Sequence, residues 1–152
     1  MKELKEKGEY KLEKSELDKI RSEFDAGFTD DEETLNVIKA VYEKNGYLMD
    51  THTAVAWSVY EKWAKETGNN DVSVVLSTAS PYKFSSSVMN ALGKEYDSEF
   101  DAVNKLNAYT GAKIPASLVN IESKAIAHNV TVEKDEMLDF VGSMVSKKVW
   151  RS

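Results

Sequence analysis

The sequence VSVVLSTASPYKF, residues 72–84, begins with a short apolar run. Its first five residues, 72–76, hold three valines and a leucine, a composition typical of a strand that is buried on both faces between layers of helices. We therefore predict a buried strand over residues 72–77. Helical patterns precede and follow this run, so the sequence predicts a helix-rich α/β fold with several flanking helices.

Small hydroxylated residues end the apolar run. Ser77, Thr78 and Ser80 lie at the carboxyl end of the predicted strand, where open α/β sheets bind their ligands, and Pro81 prevents a simple continuation. The alternative interpretation is a strand-to-helix turn whose hydroxyl groups cap the next helix. Composition and spacing alone leave both interpretations open.

The helical patterns come with recognisable ends. Thr29 followed by Glu32 predicts a capping box, and Asn45-Gly46 predicts the end of that helix. Asp50 or Thr51 can cap the next helix, and Ser98 with Asp101 can begin a later one. Further helices are predicted after Pro81 and near the carboxyl end, where apolar residues recur at helical spacing from Met137 to Val145.

Composition excludes several classes of function. The chain has 152 residues, a net charge of −6 and no basic cluster, which argues against nucleic acid as a partner. It has no cysteine and only two histidines, which excludes disulfides and a histidine-rich metal site. We find no long apolar stretch and therefore expect no membrane span, and a cytoplasmic location fits this composition.

Three separated stretches of the chain match one family. LSTASPYKF, residues 76–84, resembles the LSTAHPAKF stretch of the threonine synthases, which are PLP-dependent enzymes of the tryptophan-synthase-like fold. FDAGFTDDEETLNVIKAVYEKNGYLMDTHTAVAW, residues 24–57, resembles the family's acidic helix and the DPHTA turn after it. Residues 114–145, with IPASL, resemble the family's carboxyl terminus.

The resemblance implies a function for a longer protein. Such an enzyme converts O-phospho-L-homoserine and water into L-threonine and phosphate, a carbon–oxygen lyase reaction on a phosphate ester in threonine biosynthesis. Residues 1–152 would be a single unit at its carboxyl end. The lysine that holds the cofactor and the phosphate-binding loop belong to the amino-terminal portion, so we expect this chain to need that portion as its partner, to be inactive alone and to bind no PLP alone.

The resemblance also implies roles for particular residues. Thr78 would contact the ring nitrogen of PLP, with Ser77 as its nearest rival. The candidates for substrate binding, none of them catalytic, are His52, Thr53, Ser80 and Lys83. For each of these a structural explanation competes, since Thr51 or Thr53 can cap a helix, His52 can order the turn and a lysine is usually exposed.

Two departures from the family pattern leave other functions open. The family's proline in DPHTA is Thr51 here, and its histidine after STA is Ser80. A threonine-synthase-like lyase that acts on a related phosphorylated amino acid is therefore one alternative. An independent helical interaction module without cofactor is another. The unpaired strand also predicts self-association of the isolated chain.

Overall fold

The structure, a computed structural model, describes residues 2–146, and these residues are mainly helical. Short 3₁₀ turns lie at Pro81–Phe84, Ile121–Ser123 and Lys134–Glu136. The α-helices, in chain order, are α1 (Lys2–Lys7), α2 (Lys14–Glu23), α3 (Asp31–Asn45), α4 (Thr51–Thr67), α5 (Ser85–Ala91), α6 (Glu99–Thr110) and α7 (Met137–Ser146).

The hydrophobic core lies among α3, α4, α5 and α6. Helix α3 packs against α4 and α5, and α5 packs against α6. The Tyr82 side chain is buried against this core, and its hydroxyl donates a hydrogen bond to the carbonyl of Ala112. Burial raises the pKa of Tyr82. The buried apolar side chains of the core are Ile38, Met49, Ala54, Tyr82, Val88, Met89, Ala91, Leu92, Ala102 and Leu106.

Local sequence signals account for most helix ends. Gly46 ends α3 with φ 66°, a left-handed conformation that glycine adopts without steric cost. Ser98 caps α6 by accepting from the Asp101 backbone N–H, as predicted. The capping box predicted at Thr29 and Glu32 is wrong by one residue, because Asp30 caps α3 and accepts from the Glu33 backbone N–H.

The predicted buried strand at residues 72–77 is wrong, and with it the α/β fold class. No described residue belongs to a β-strand. Val72 is 100% exposed, Val74 84% and Leu76 74%. A strand becomes stable only when its backbone N–H and C=O groups pair with a neighbouring strand, and residues 2–146 provide none. The apolar run is therefore an irregular, solvent-exposed segment between α4 and the 3₁₀ turn at Pro81–Phe84.

The chain divides into two compact units, Met1–Val119 and Asn120–Ser152. The first contains the core. The described part of the second contains the turns at Ile121–Ser123 and Lys134–Glu136 and helix α7. The single unit predicted for residues 1–152 stays a prediction. No helix within residues 2–146 has the length and apolar character needed to cross a membrane.

Candidate functional site

Asp50 organises the amino end of α4. Its side chain is fully buried, and its Oδ1 accepts from the backbone N–H of His52 at 2.9 Å and of Thr53 at 3.3 Å. Its Oδ2 accepts from the Thr53 hydroxyl. These bonds satisfy N–H groups that the first turn of a helix leaves without intrahelical partners. Of the three predicted caps, Asp50, Thr51 and Thr53, Asp50 is therefore the correct one.

Thr53 joins the start of α4 to the irregular segment that precedes Pro81. Its Oγ1 lies 3.1 Å from Oγ of Ser77, so the two hydroxyl groups form a hydrogen bond. Thr53 is buried, whereas Ser77 is exposed. The structure thus brings together one predicted substrate residue and one predicted cofactor residue.

His52 and Lys83 both contact the ring of Phe84, which was not a predicted site residue. The imidazole of His52 packs on the ring of Phe84 with 5.0 Å between centroids, and Lys83 Nζ lies 5.4 Å from the centroid of the same ring. Both distances are within the range of ring stacking and of cation–π attraction. The two exposed side chains therefore present polar groups around Phe84, beside the start of α4.

Thr78 and Ser80 differ in their availability. Ser80 caps the 3₁₀ turn at Pro81–Phe84 by accepting from the Tyr82 backbone N–H at 3.3 Å. The Thr78 hydroxyl is exposed and forms no hydrogen bond to another described residue. Thr78 is therefore free to meet a ligand, whereas Ser80 has the capping contact that the alternative interpretation predicted.

An open groove of about 500 Å³ lies beside this site, between α3, α4 and α5. His52 is the one predicted site residue that lines it, together with Thr51. The lining combines hydroxyl, amide, carboxylate and imidazole groups with two apolar side chains. The other lining residues are Thr29, Asp31, Thr34, Leu35, Val55, Ser87 and Asn90.

Glu33, in the first turn of α3 beside the groove, forms a cluster of polar contacts with Lys62 and Ser58 of α4. Lys62 Nζ lies 2.7 Å from Glu33 Oε2 and also donates to the carbonyl of Phe28 at 3.1 Å. The Ser58 hydroxyl donates to Glu33 Oε1 at 2.9 Å. The hydrogen bond from Lys62, followed by those from Thr29 and Ser58, lowers the pKa of Glu33 to about 2. The cluster links α3 to α4 beside the groove.

Asp50 and Phe84 belong to this site but were not among the predicted site residues. A signal for Asp50 was present, because an aspartate three residues before a threonine can bond both its backbone N–H and its hydroxyl. The contact between Thr53 and Ser77 had no local signal, because 24 residues separate them.

Comparison with known proteins identifies related sequences over much of the chain. The family model described as "Threonine synthase, C-terminal" matches residues 53–139. A threonine synthase of Schizosaccharomyces pombe is 32% identical over 102 residues, which is 66% of this chain and 20% of that protein. Threonine synthase-like 1 of Homo sapiens is 32% identical over 84 residues, which is 55% of this chain and 11% of that protein. The chain therefore spans a small part of the length of these relatives.

A solved structure gives the same result in three dimensions. The PLP-bound threonine synthase of Brucella melitensis superposes with a TM-score of 0.68 and 30% sequence identity, covering 100% of this chain and 28% of that one. The matched residues 53–139 include Thr53, Ser77, Thr78, Ser80 and Lys83. On this agreement of sequence and structure, the chain belongs to the threonine synthase C-terminal family.

Proposed function

We propose that the chain acts as the carboxyl-terminal portion of a PLP-dependent threonine synthase. The longer enzyme would convert O-phospho-L-homoserine and water into L-threonine and phosphate. The observation that carries the proposal is the family match over residues 53–139, supported by a PLP-bound relative of which this chain covers 28%. The exposed run at residues 72–76 supports it further, because exposed apolar segments mark surfaces that another part of a protein covers.

The residues at the end of this run suit the pyridine ring of PLP. When bound, PLP supplies an electron sink for bond breaking at the substrate's carbon atoms. Thr78 offers an exposed hydroxyl that forms no hydrogen bond to any residue in the described range 2–146, and this hydroxyl can donate a hydrogen bond to the ring nitrogen. A neutral hydroxyl stabilises less positive charge on that nitrogen than a carboxylate would, which suits elimination and replacement reactions.

For the substrate we propose the side chains around Phe84. Lys83 would attract the phosphate group, and the exposed imidazole of His52 would donate a hydrogen bond to it. Thr53 would contribute indirectly, because its side chain is buried and its hydrogen bond holds Ser77 in place. Ser80 would contribute by capping the 3₁₀ turn that positions Lys83.

The test compares this chain alone with the same chain joined to the amino-terminal portion of the enzyme. The joined protein should show the absorption band of bound PLP and release phosphate from O-phospho-L-homoserine, while the chain alone should do neither. A joined protein that binds PLP normally but leaves O-phospho-L-homoserine unreacted would contradict the proposed substrate. PLP binding and phosphate release by the chain alone would contradict the division of roles.

A second candidate function is a lyase that acts on a related phosphorylated amino acid. Thr51 and Ser80 favour it, because they stand at positions where the family pattern has proline and histidine. Thr51 lines the groove beside His52, where a changed side chain would alter the fit of a substrate. Comparing turnover of O-phosphohomoserine and of O-phosphothreonine by the joined protein separates the two functions.

A further inference from the structure

Three residues form a chain of hydrogen bonds that ends at the surface. The buried carboxylate of Asp50 accepts from the Thr53 hydroxyl, and Thr53 Oγ1 lies 3.1 Å from Ser77 Oγ. Ser77 lies next to Thr78, the residue proposed above to meet the cofactor ring. The direction of each hydrogen bond in this chain decides which of the two neighbouring hydroxyl groups has a proton to offer.

The direction follows from the number of hydrogens. An ionised carboxylate has none and can only accept, whereas a hydroxyl has one hydrogen and can donate once. Donors surround Asp50, because two backbone N–H groups and the Thr53 hydroxyl point at its oxygens. With its one hydrogen given to Asp50, Thr53 can only accept from its other neighbour. The hydrogen between Thr53 and Ser77 must therefore come from Ser77.

Burial makes the opposite direction costly. The side chain of Asp50 is fully buried, and Thr53 is 4% exposed. If Thr53 turned its hydrogen toward Ser77, Oδ2 of a buried carboxylate would lose that donor where little water can replace it. The carboxylate therefore sets the direction for both hydroxyl groups.

We infer that Asp50 and Thr53 are positioning residues that make Ser77 an acceptor toward any ligand and leave Thr78 as the hydroxyl that donates. This inference rests on the proposed function for its application to PLP. Two adjacent hydroxyl groups could otherwise compete for one ring nitrogen. With the Ser77 hydrogen held by Thr53, Thr78 would be the one of the pair that donates to an unprotonated ring nitrogen.

Rescue of a defect gives the sharpest test, using the chain joined to its amino-terminal portion and the dissociation constant of PLP as the measurement. Thr78→Val should weaken PLP binding about tenfold, the loss of roughly one hydrogen bond. Adding Thr53→Val removes the acceptor that holds the Ser77 hydrogen, so Ser77 can donate instead. The double variant should then bind PLP about threefold or more tightly than Thr78→Val.

Two controls make the rescue specific. Thr53→Ser keeps the hydroxyl, so combining it with Thr78→Val should give no recovery. Adding Ser77→Ala to the rescued double variant should remove the recovery. If Thr53 had only a structural role, the double variant would bind PLP more weakly than Thr78→Val does. If Thr78→Val weakens PLP binding and adding Thr53→Val restores none of it, the inference is overturned. The proposed function is not affected by that result.

A second measurement needs no cofactor and no substitution. In NMR spectra of this chain, the buried Thr53 hydroxyl proton should exchange slowly with water, and its three-bond couplings should place it toward Asp50. A rotamer that places this proton toward Ser77 overturns the inference. The NMR result can also be combined with the binding measurement. If the proton points to Asp50 but Thr78→Val leaves PLP affinity unchanged, the proposed contact of Thr78 with PLP is wrong. The application of the inference to PLP is then wrong as well.

Discussion

Asp50 begins α4 and also supports the only side-chain link described between α4 and Ser77. Its oxygens accept from the backbone N–H groups of His52 and Thr53 and from the Thr53 hydroxyl. Because the same carboxylate caps the helix and satisfies a buried hydroxyl, its removal affects two structures at once. At the scale of single residues, this position is where the stability of the fold and the geometry of the site depend on the same atoms.

Replacing Asp50 with alanine should destabilise the chain by about 2 kcal/mol. Loss of the cap contributes about 1 kcal/mol, and the Thr53 hydroxyl left without an acceptor contributes a similar amount. Urea denaturation followed by circular dichroism measures the change. Ser98→Ala is the matched control, because Ser98 is an exposed cap of α6, and we expect it to cost about 1 kcal/mol or less. Equal costs for the two variants would contradict the double role of Asp50.

Glu33 predicts how stability changes in acid. Its pKa is lowered from 4.5 to about 2, so its contribution is fully present above about pH 4.5 and is lost as the pH falls toward about 2. Glu33→Gln should reduce the acid dependence of stability in this range. Denaturation at a series of pH values measures it, with Glu32→Gln on the same helical turn as the control. Identical acid profiles for Glu33→Gln and the unchanged chain would contradict the prediction.

At the scale of elements, the loop before α3 lies directly on α4. Gly27 leaves no room for a side chain, because a Cβ atom there would lie 2.7 Å from Cγ1 of Val59 on α4. The carbonyl of the next residue, Phe28, accepts from Lys62 of the same helix. Close packing and a charged hydrogen bond together hold this loop beside the groove. The position of the loop therefore depends both on α4 and on the glycine at residue 27 of the loop.

Gly27→Ala should destabilise the chain by about 1–3 kcal/mol, because the added methyl group overlaps a branched side chain. Combining it with Val59→Ala should cost less than the sum of the two single changes, since the smaller side chain removes the overlap. Gly142→Ala serves as a control, because an added Cβ atom there meets no other described residue within 4 Å beyond its chain neighbours and the backbone of its own helix, and alanine favours the helix. Thermal denaturation of the four variants tests this, and strict additivity would contradict the clash.

At the scale of the whole molecule, the chain exposes large apolar side chains in both of its units. Val74 and Leu76 are exposed in the first unit, and Ile126 and Leu138 in the second. The relatives are longer than this chain, which covers 20% of the Schizosaccharomyces pombe protein and 28% of the Brucella melitensis structure. Exposed apolar surface of this kind is what we expect if the chain acts as the carboxyl-terminal portion proposed above.

The isolated chain should therefore self-associate through residues 72–76. Val74→Ser with Leu76→Ser should weaken the association constant about tenfold or more, because burial of a valine or leucine contributes about 1.5–3 kcal/mol. Sedimentation velocity over a range of concentrations measures the effect. Asn70→Ser, close to the segment but not apolar, is the control. The same concentration dependence in all three proteins would show that this segment does not drive association.

Local chemistry determined much of this protein from sequence alone. The carboxyl end of α3, the amino end of α6, the cap at Asp50 or Thr51 and the helix after Pro81 follow from side chains that act within a few residues. The family resemblance was likewise readable from short motifs, and the match over residues 53–139 confirmed it.

Tertiary structure decided what depends on distant partners. Residues 72–77 have the composition of a strand, yet a strand requires a second one beside it, and residues 2–146 contain none. Glu33 pairs with Lys62 on α4, 29 residues further along the chain. The contact of Thr53 with Ser77 exists because packing brings α4 beside the segment before Pro81, a proximity that no local pattern encodes.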